Sequence, residues 1–132
     1  MSMVGSLPNL QVLKLRRTDL RAAFFRQEWI TNAGEFLQLK YLLLEKITLE
    51  YWRVDRTPFP KLERLVFKDC YNFGIPNEIK EIPTLRSIEV YGHGGLVLHS
   101  AMNIQEEQRR LGNDGLQILI VNSRNRTGLC LN

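Results

Sequence analysis

The chain is predicted to be an α/β protein made by repetition, with a short parallel sheet on one side and irregular or helical segments returning between its strands. Three observations lead there. In the stretch FPKLERLVFKDC, Phe59 to Cys70, Leu62, Leu65 and Phe67 are spaced L-x-x-L-x-L and Cys70 follows three residues later. The same spacing returns at Leu10, Leu13 and Leu15, at Leu39, Leu42 and Leu44, and at Leu85, Ile88 and Val90. Leu39, Leu62 and Leu85 are also separated by equal steps of 23 residues. A strand alternates its side chains between two faces, so each L-x-L end buries two side chains and turns the one between them outward. Strands that recur in one direction need a return segment each, which makes the sheet parallel.

A period inside roughly 20–29 residues with this pattern is the signature of leucine-rich repeats, in which a buried Asn or Cys takes the place of Cys70. The expected fold is therefore a leucine-rich-repeat solenoid, a partial horseshoe with a short parallel sheet on the concave face and irregular or helical convex segments. Residues 1–95 hold about four units, residues 96–121 a capping helix and last strand, and residues 122–132 a mobile tail. No polar capping repeat precedes Leu10, so the chain is expected to be the tail of something longer.

The units follow in order. Leu10, Leu13 and Leu15 open the first, and Leu39 follows Leu10 by 29 residues. The long spacer between carries Ala22, Ala23 and Gln27, which favour a helix over Arg21 to Trp29 that Gly34 would stop. Leu20, Phe24, Phe25, Trp29 and Ile30 pack its inner side. Arg16, Arg17, Arg21 and Arg26 make the densest basic run, read as a solvated convex face partly paired with Asp19 and Glu28, with a site for an acidic partner as the alternative. In the second unit Ile47 takes the place of Cys70, and Tyr51 with Trp52 fills the turn beneath the third strand. After Cys70, Ile75, Ile79 and Ile82 point inward from a segment in which Pro76 and Pro83 forbid a long helix. The glycines around His93 mark a turn, so His93 reads as a loop residue and His99 has no partner cluster.

Residues 97–111 read as an amphipathic helix with Val97, Ala101, Ile104, Gln108 and Leu111 on its buried face, Ser100 capping its first turn and Gly112 as its stop. Asn113-Asp114-Gly115 turns the chain into a last strand, where Leu116, Leu119 and Val121 restate the inward set 31 residues after Leu85. That strand is expected to close the sheet, shielded by the helix and the tail.

Composition narrows the function classes. Of 132 residues, 18 are Lys or Arg and 14 are Asp or Glu, so the formal charge of +4 reflects solvation more than a one-sign surface. Nucleic-acid binding remains the weakest alternative. Two cysteines, one on an inward position, argue against a disulfide framework and for a reducing compartment. No signal-peptide pattern and no run of eighteen apolar residues occurs, so the expected location is the cytoplasm, with peripheral contact at membranes left open. There is no phosphate-binding glycine motif, C-x-x-C, H-E-x-x-H or G-x-S-x-G. Glu106 and Glu107 are adjacent on a helix and diverge. The expectation is a non-enzyme, with no catalytic, cofactor or metal residues.

Fixing the inward residues turns their neighbours onto the concave sheet in three columns: Val12, Tyr41, Arg64 and Ser87; Lys14, Leu43, Val66 and Glu89; Arg16, Glu45, Lys68 and Tyr91. Exposed Leu43 and Val66 with a rim of Tyr41, Arg64, Lys68 and Tyr91 suit a protein partner, because a phosphate track would want one sign of charge. Cover by another domain of the same protein is the competing reading.

The segments LPNLQVLKLR, FPKLERLVFKDCY, IPNEIKEIPTLRSIEV and IQEEQRRLGNDGLQILI together resemble the closing repeats of plant intracellular nucleotide-binding leucine-rich-repeat resistance proteins, of the late-blight-resistance type found in nightshades. The resemblance implies coiled-coil and nucleotide-binding domains upstream, recognition of a pathogen effector or docking of the receptor's own nucleotide-binding domain, and a hypersensitive response. ATP or ADP would belong to that upstream domain, since none of its motifs is in this chain. A structural C-terminal cap or truncated fragment with no ligand of its own is the alternative.

Overall fold

The inward pairs of the repeat form the buried side of a parallel sheet. A computed structural model describes residues 9–16, 28–32, 35–47, 51–55, 59–70, 74–92, 95–121 and 128–131. Its strands are β1 (Val12–Arg16), β2 (Glu28–Asn32), β3 (Tyr41–Glu45), β4 (Tyr51–Asp55), β5 (Arg64–Lys68), β6 (Ser87–Tyr91), β7 (Gln117–Val121) and β8 (Gly128–Leu131). A 3₁₀ helix covers Asn77–Glu81 and one long helix, α1, covers Gly95–Arg110. The main sheet has the order β1-β3-β5-β6-β7-β8, parallel except for β8, while β2 and β4 pair in a small second sheet.

Register follows the repeat. Leu13 lies beside Leu42, Leu42 beside Leu65, and Leu65 beside Ile88. These residues and the second inward row of Leu15, Leu44, Phe67 and Val90 are buried. Ile47 and Cys70 are buried just past their strands, as are Ile75, Ile79 and Ile82 on the return segment. The Cys70 thiol donates to the Leu44 carbonyl at 3.2 Å, which ties one unit to the next. Burial pushes that thiol's pKa up, so it stays protonated and apolar. β3, β5 and β6 are each followed by a left-handed residue, Lys46 (φ 55°), Asp69 (φ 55°) and Gly92 (φ 88°). Their amides donate to Lys68, Tyr91 and Val121 on the neighbouring strand, extending the ladder beyond the strand itself.

On the other side of the core, Trp29 and Trp52 stack with centroids 5.1 Å apart, and Phe36 and Phe59 pack edge-on against them. Trp52 Nε1 donates to the Thr31 hydroxyl at 3.3 Å. Trp29, on β2, has a buried Nε1 without a partner among the described residues. This small sheet corrects two expectations. Glu28 and Trp29 belong to a strand, so no helix reaches Trp29, and residues 21–27 lie outside the described residues. Ile30 is 46% exposed, because on β2 it alternates with the inward Trp29 and Thr31. His93 also lies outside the described residues.

Helix α1 is held by Val97, Ala101, Ile104, Gln105 and Gln108 against the 3₁₀ helix, β6 and β7. Ser100, expected to cap the first turn, instead sits in the second turn, where its hydroxyl accepts from the Ile75 amide at 2.9 Å and donates back to the helix at Leu96 and Val97. The stop at Gly112 has φ 87°, with the amides of Gly112 and Asn113 donating to Arg109 and Gln108, the paired bonds of a Schellman end. Leu111, expected on the buried face, is 69% exposed because the helix has already ended at Arg110.

The last strand differs by one residue from the expected register. Ile118 and Ile120 pair with Ile88 and Val90 and face the core, leaving Leu119 and Val121 on the opposite side. Leu116 is buried, but at the strand entry, since Gly115 stands where the other units have leucine. Nor does β7 close the sheet. Gly128–Leu131, within the segment expected to be mobile, forms β8 and pairs antiparallel with β7. Among the described residues no helix is long and apolar enough to cross a membrane.

Candidate protein-binding surface

Alternation places all twelve expected residues on the sheet face turned away from the core. The register aligns Val12, Tyr41, Arg64 and Ser87 in one row, Lys14, Leu43, Val66 and Glu89 in the next, and Arg16, Glu45, Lys68 and Tyr91 in the third. Gln117, Leu119 and Val121 extend these rows by one strand. Sequence reasoning missed these three because it slid β7 by one residue; the Ile118-x-Ile120 alternation was the available signal.

The middle of the face is not the exposed apolar patch expected. Leu43 and Val66 are only 2% and 1% exposed although they lie outside the main core. The register sets them between Tyr41 and Arg64 on one side and Glu45 and Lys68 on the other, so the outer rows carry the accessible surface. Glu89 is also buried, at 5%. Its carboxylate accepts from Arg64 Nε at 2.8 Å and Nη2 at 3.1 Å, from the Tyr91 hydroxyl at 3.0 Å and from the Ser87 hydroxyl at 3.4 Å. Burial by itself raises the carboxyl pKa, but the bonds from Arg64, Tyr91 and Ser87 outweigh it and hold the group below the usual carboxylate value. The bond to Glu89 pushes the Arg64 guanidinium up, and burial together with Glu89 does the same to the Tyr91 phenol.

Cations and rings complete the surface. The Arg64 guanidinium lies 4.9 Å from the centre of the Tyr41 ring, with Lys14 Nζ over that ring at 6.0 Å. Lys68 Nζ lies 5.3 Å over Tyr91. Arg16 Nε is 2.9 Å from Glu45 Oε1. Thus both glutamates of the expected set are matched by arginines, while Lys14 and Lys68 are placed by aromatic faces. Such contacts pre-order flexible cations, worth about 0.5–1 kcal/mol each where exposed. Among the described residues no group of three His, Cys, Asp or Glu side chains could hold a metal ion.

No family model matches the chain. Over 103 residues, 77% of its length, it is 43% identical to one late blight resistance protein homologue of Solanum demissum and 42% identical to another. Over the same length it is 38% identical to a late blight resistance protein of that species. The chain is homologous to a segment of the late blight resistance proteins. It spans 8% of the length of each of these three relatives.

Proposed function

We propose that this segment is a leucine-rich-repeat module of an intracellular, cytoplasmic plant immune receptor, and that it acts by binding protein and not by catalysis. The equal 23-residue steps, the parallel register and the buried Cys70 support the repeat reading. The observation that carries the binding reading is the set of cations ordered on Tyr41 and Tyr91 across one sheet face. Aromatic residues and arginine are enriched at protein interfaces. In this reading, a pathogen effector and the receptor's own nucleotide-binding domain compete for the concave face. Loss of the docked state releases a nucleotide switch elsewhere in the receptor and leads to the hypersensitive response. ATP or ADP belongs to that other domain.

The test uses Val12→Glu with Lys68→Glu in a receptor carrying this segment. Neither residue supports Glu89, whereas reversing Arg64 would strand a buried carboxylate. The reading expects effector response or resting-state inhibition to change while the melting transition holds. If neither changes, the second reading stands, that of a structural cap; the sealed Leu43 and Val66 favour it, because they leave no central apolar pocket for a partner.

A further inference from the structure

Four cations and two anions stand among the outward residues of β1, β3, β5 and β6, and their partners divide them sharply. Arg16 is bonded to Glu45 and Arg64 to Glu89, which turns both arginines into locally neutral pairs. Lys14 and Lys68 have no carboxylate within ion-pair distance among the described residues; each ammonium is instead held over a tyrosine ring. An ammonium on a ring face is ordered yet keeps its positive charge uncompensated, since a ring quadrupole attracts a cation without neutralising it. The face therefore presents two fixed, unpaired positive charges on a ground of tyrosine and buried aliphatic side chains.

Their spacing says what would match them. Lys14 and Val66 sit on strands two apart in the sheet, and Lys68 is two residues further along β5. With strands roughly 4.8 Å apart and a rise of about 3.3 Å per residue, the two lysine Cα positions lie about 12 Å from one another. An extended chain covers that distance in about four residues. A nucleic-acid backbone is a poorer fit, because its closely spaced phosphates need a continuous row of one sign, and here Glu45 and Glu89 interrupt the row. Tyr41 and Tyr91 offer flat, amphipathic surface beside each lysine, suited to the peptide backbone between two acidic side chains.

From this arrangement we infer that the outward sheet face docks an acidic, extended protein segment, with carboxylates about four residues apart on Lys14 and Lys68. The inference rests on the reading of this face as a protein-binding surface and specifies its partner. It also explains why the glutamates are tied to arginines: an unpaired Glu45 or Glu89 would repel the segment that the lysines attract.

The experiment measures fluorescence anisotropy of the 132-residue chain with three labelled peptides of equal length: one with glutamates four apart, one with those glutamates replaced by glutamine, and one with lysines. A DNA oligonucleotide of matching charge is the fourth probe. The expected result is preference for the glutamate peptide, weakened by salt and reduced about tenfold or more by Lys14→Glu with Lys68→Glu. Lys61→Glu, which changes the charge at an exposed site bonded to Gln38, leaves it unchanged. Lys14→Gln with Lys68→Gln checks the effect without introducing new charge, and circular dichroism checks the fold of every variant. Equal binding of the glutamine peptide, still sensitive to Tyr41→Ala, overturns the acidic partner but keeps a protein-binding face. Preference for DNA, or glutamate-peptide binding indifferent to both lysines, overturns the inference. No binding of any peptide at low salt overturns it too, while the receptor test of Val12 and Lys68 still stands to judge the wider reading.

Discussion

Replacing Arg64 by Met keeps most of the side chain's length and removes the two bonds that hold Glu89. The Glu89 side chain is 7% exposed, and its carboxylate would keep Tyr91 and Ser87 as donors. Breaking a fully buried ion pair from one side costs about 3–5 kcal/mol. The Arg64 side chain is 52% exposed, so water already screens part of the attraction and refills part of the loss. The expected cost is therefore about 2 kcal/mol. For a chain of this size that lowers the melting temperature by roughly 6–10 °C. The assay is a double-mutant cycle with Glu89→Gln, read by urea denaturation and thermal melting. Because the second substitution removes the stranded charge, the pair of changes together is expected to cost less than their sum by about 1 kcal/mol or more. Additive costs, or an Arg64→Met variant that melts with the parent, would refute the claim that Glu89 is a buried charge held by this bond.

The same carboxylate sets a pH dependence. Its folded pKa lies below the ordinary value of 4.5, so its contribution to stability is present above pH 4.5 and is lost as pH falls through the folded value. Glu89→Gln should flatten that acid limb in urea titrations, and an unchanged limb would assign it to other carboxylates. Gly92 has φ 88°, and a Cβ there would run into Asp69 Oδ1, so Gly92→Ala is expected to cost about 1–3 kcal/mol. Part of that cost should disappear in an Asp69→Ala background. Gly112→Ala, with nothing within 4 Å of the new methyl, should cost only about 1 kcal/mol. Of the two stacked indoles, Trp52→Phe loses the bond to Thr31, whereas Trp29→Phe removes a buried donor that has no partner among the described residues. Denaturation should find Trp52→Phe the costlier by about 1 kcal/mol, and the reverse order would contradict the hydrogen-bond assignment.

The inward rows were readable because two constraints coincide at each position: the period of two within a strand and the 23-residue step between strands. Leu42, Leu65 and Ile88 satisfy both, and each is fully buried. Where one constraint lapses, reading slips. The step into β7 is irregular and Gly115 replaces the leading leucine, so Leu119 and Ile118 compete for the inward place and only packing decides between them. The β2–β4 sheet escaped notice because EWITN and YWRVD are too short to separate from loop by pattern alone, and their order comes from the Trp29–Trp52 stack across units. On the outward face, alternation was enough to name the side but not the accessibility. Leu43, Val66 and Glu89 point away from the core and are nonetheless buried by long neighbours, a consequence of side-chain reach across parallel strands that spacing does not encode. The Arg64–Glu89 bond runs diagonally between rows, from one strand to the next, and appears only once register is known.

The most direct test of a protein-binding outward face is site-specific photo-crosslinking in a full-length receptor carrying this segment. A photoreactive phenylalanine replaces Tyr41 in one version and Met102, an exposed position on α1, in another. Adducts are mapped by mass spectrometry, in resting tissue and after challenge with pathogen effector. The binding reading predicts crosslinks from position 41 to the receptor's nucleotide-binding domain at rest or to an effector after challenge, with none from position 102. Crosslinks from position 102 alone, or from position 41 only to adjacent repeats in both states, would contradict it.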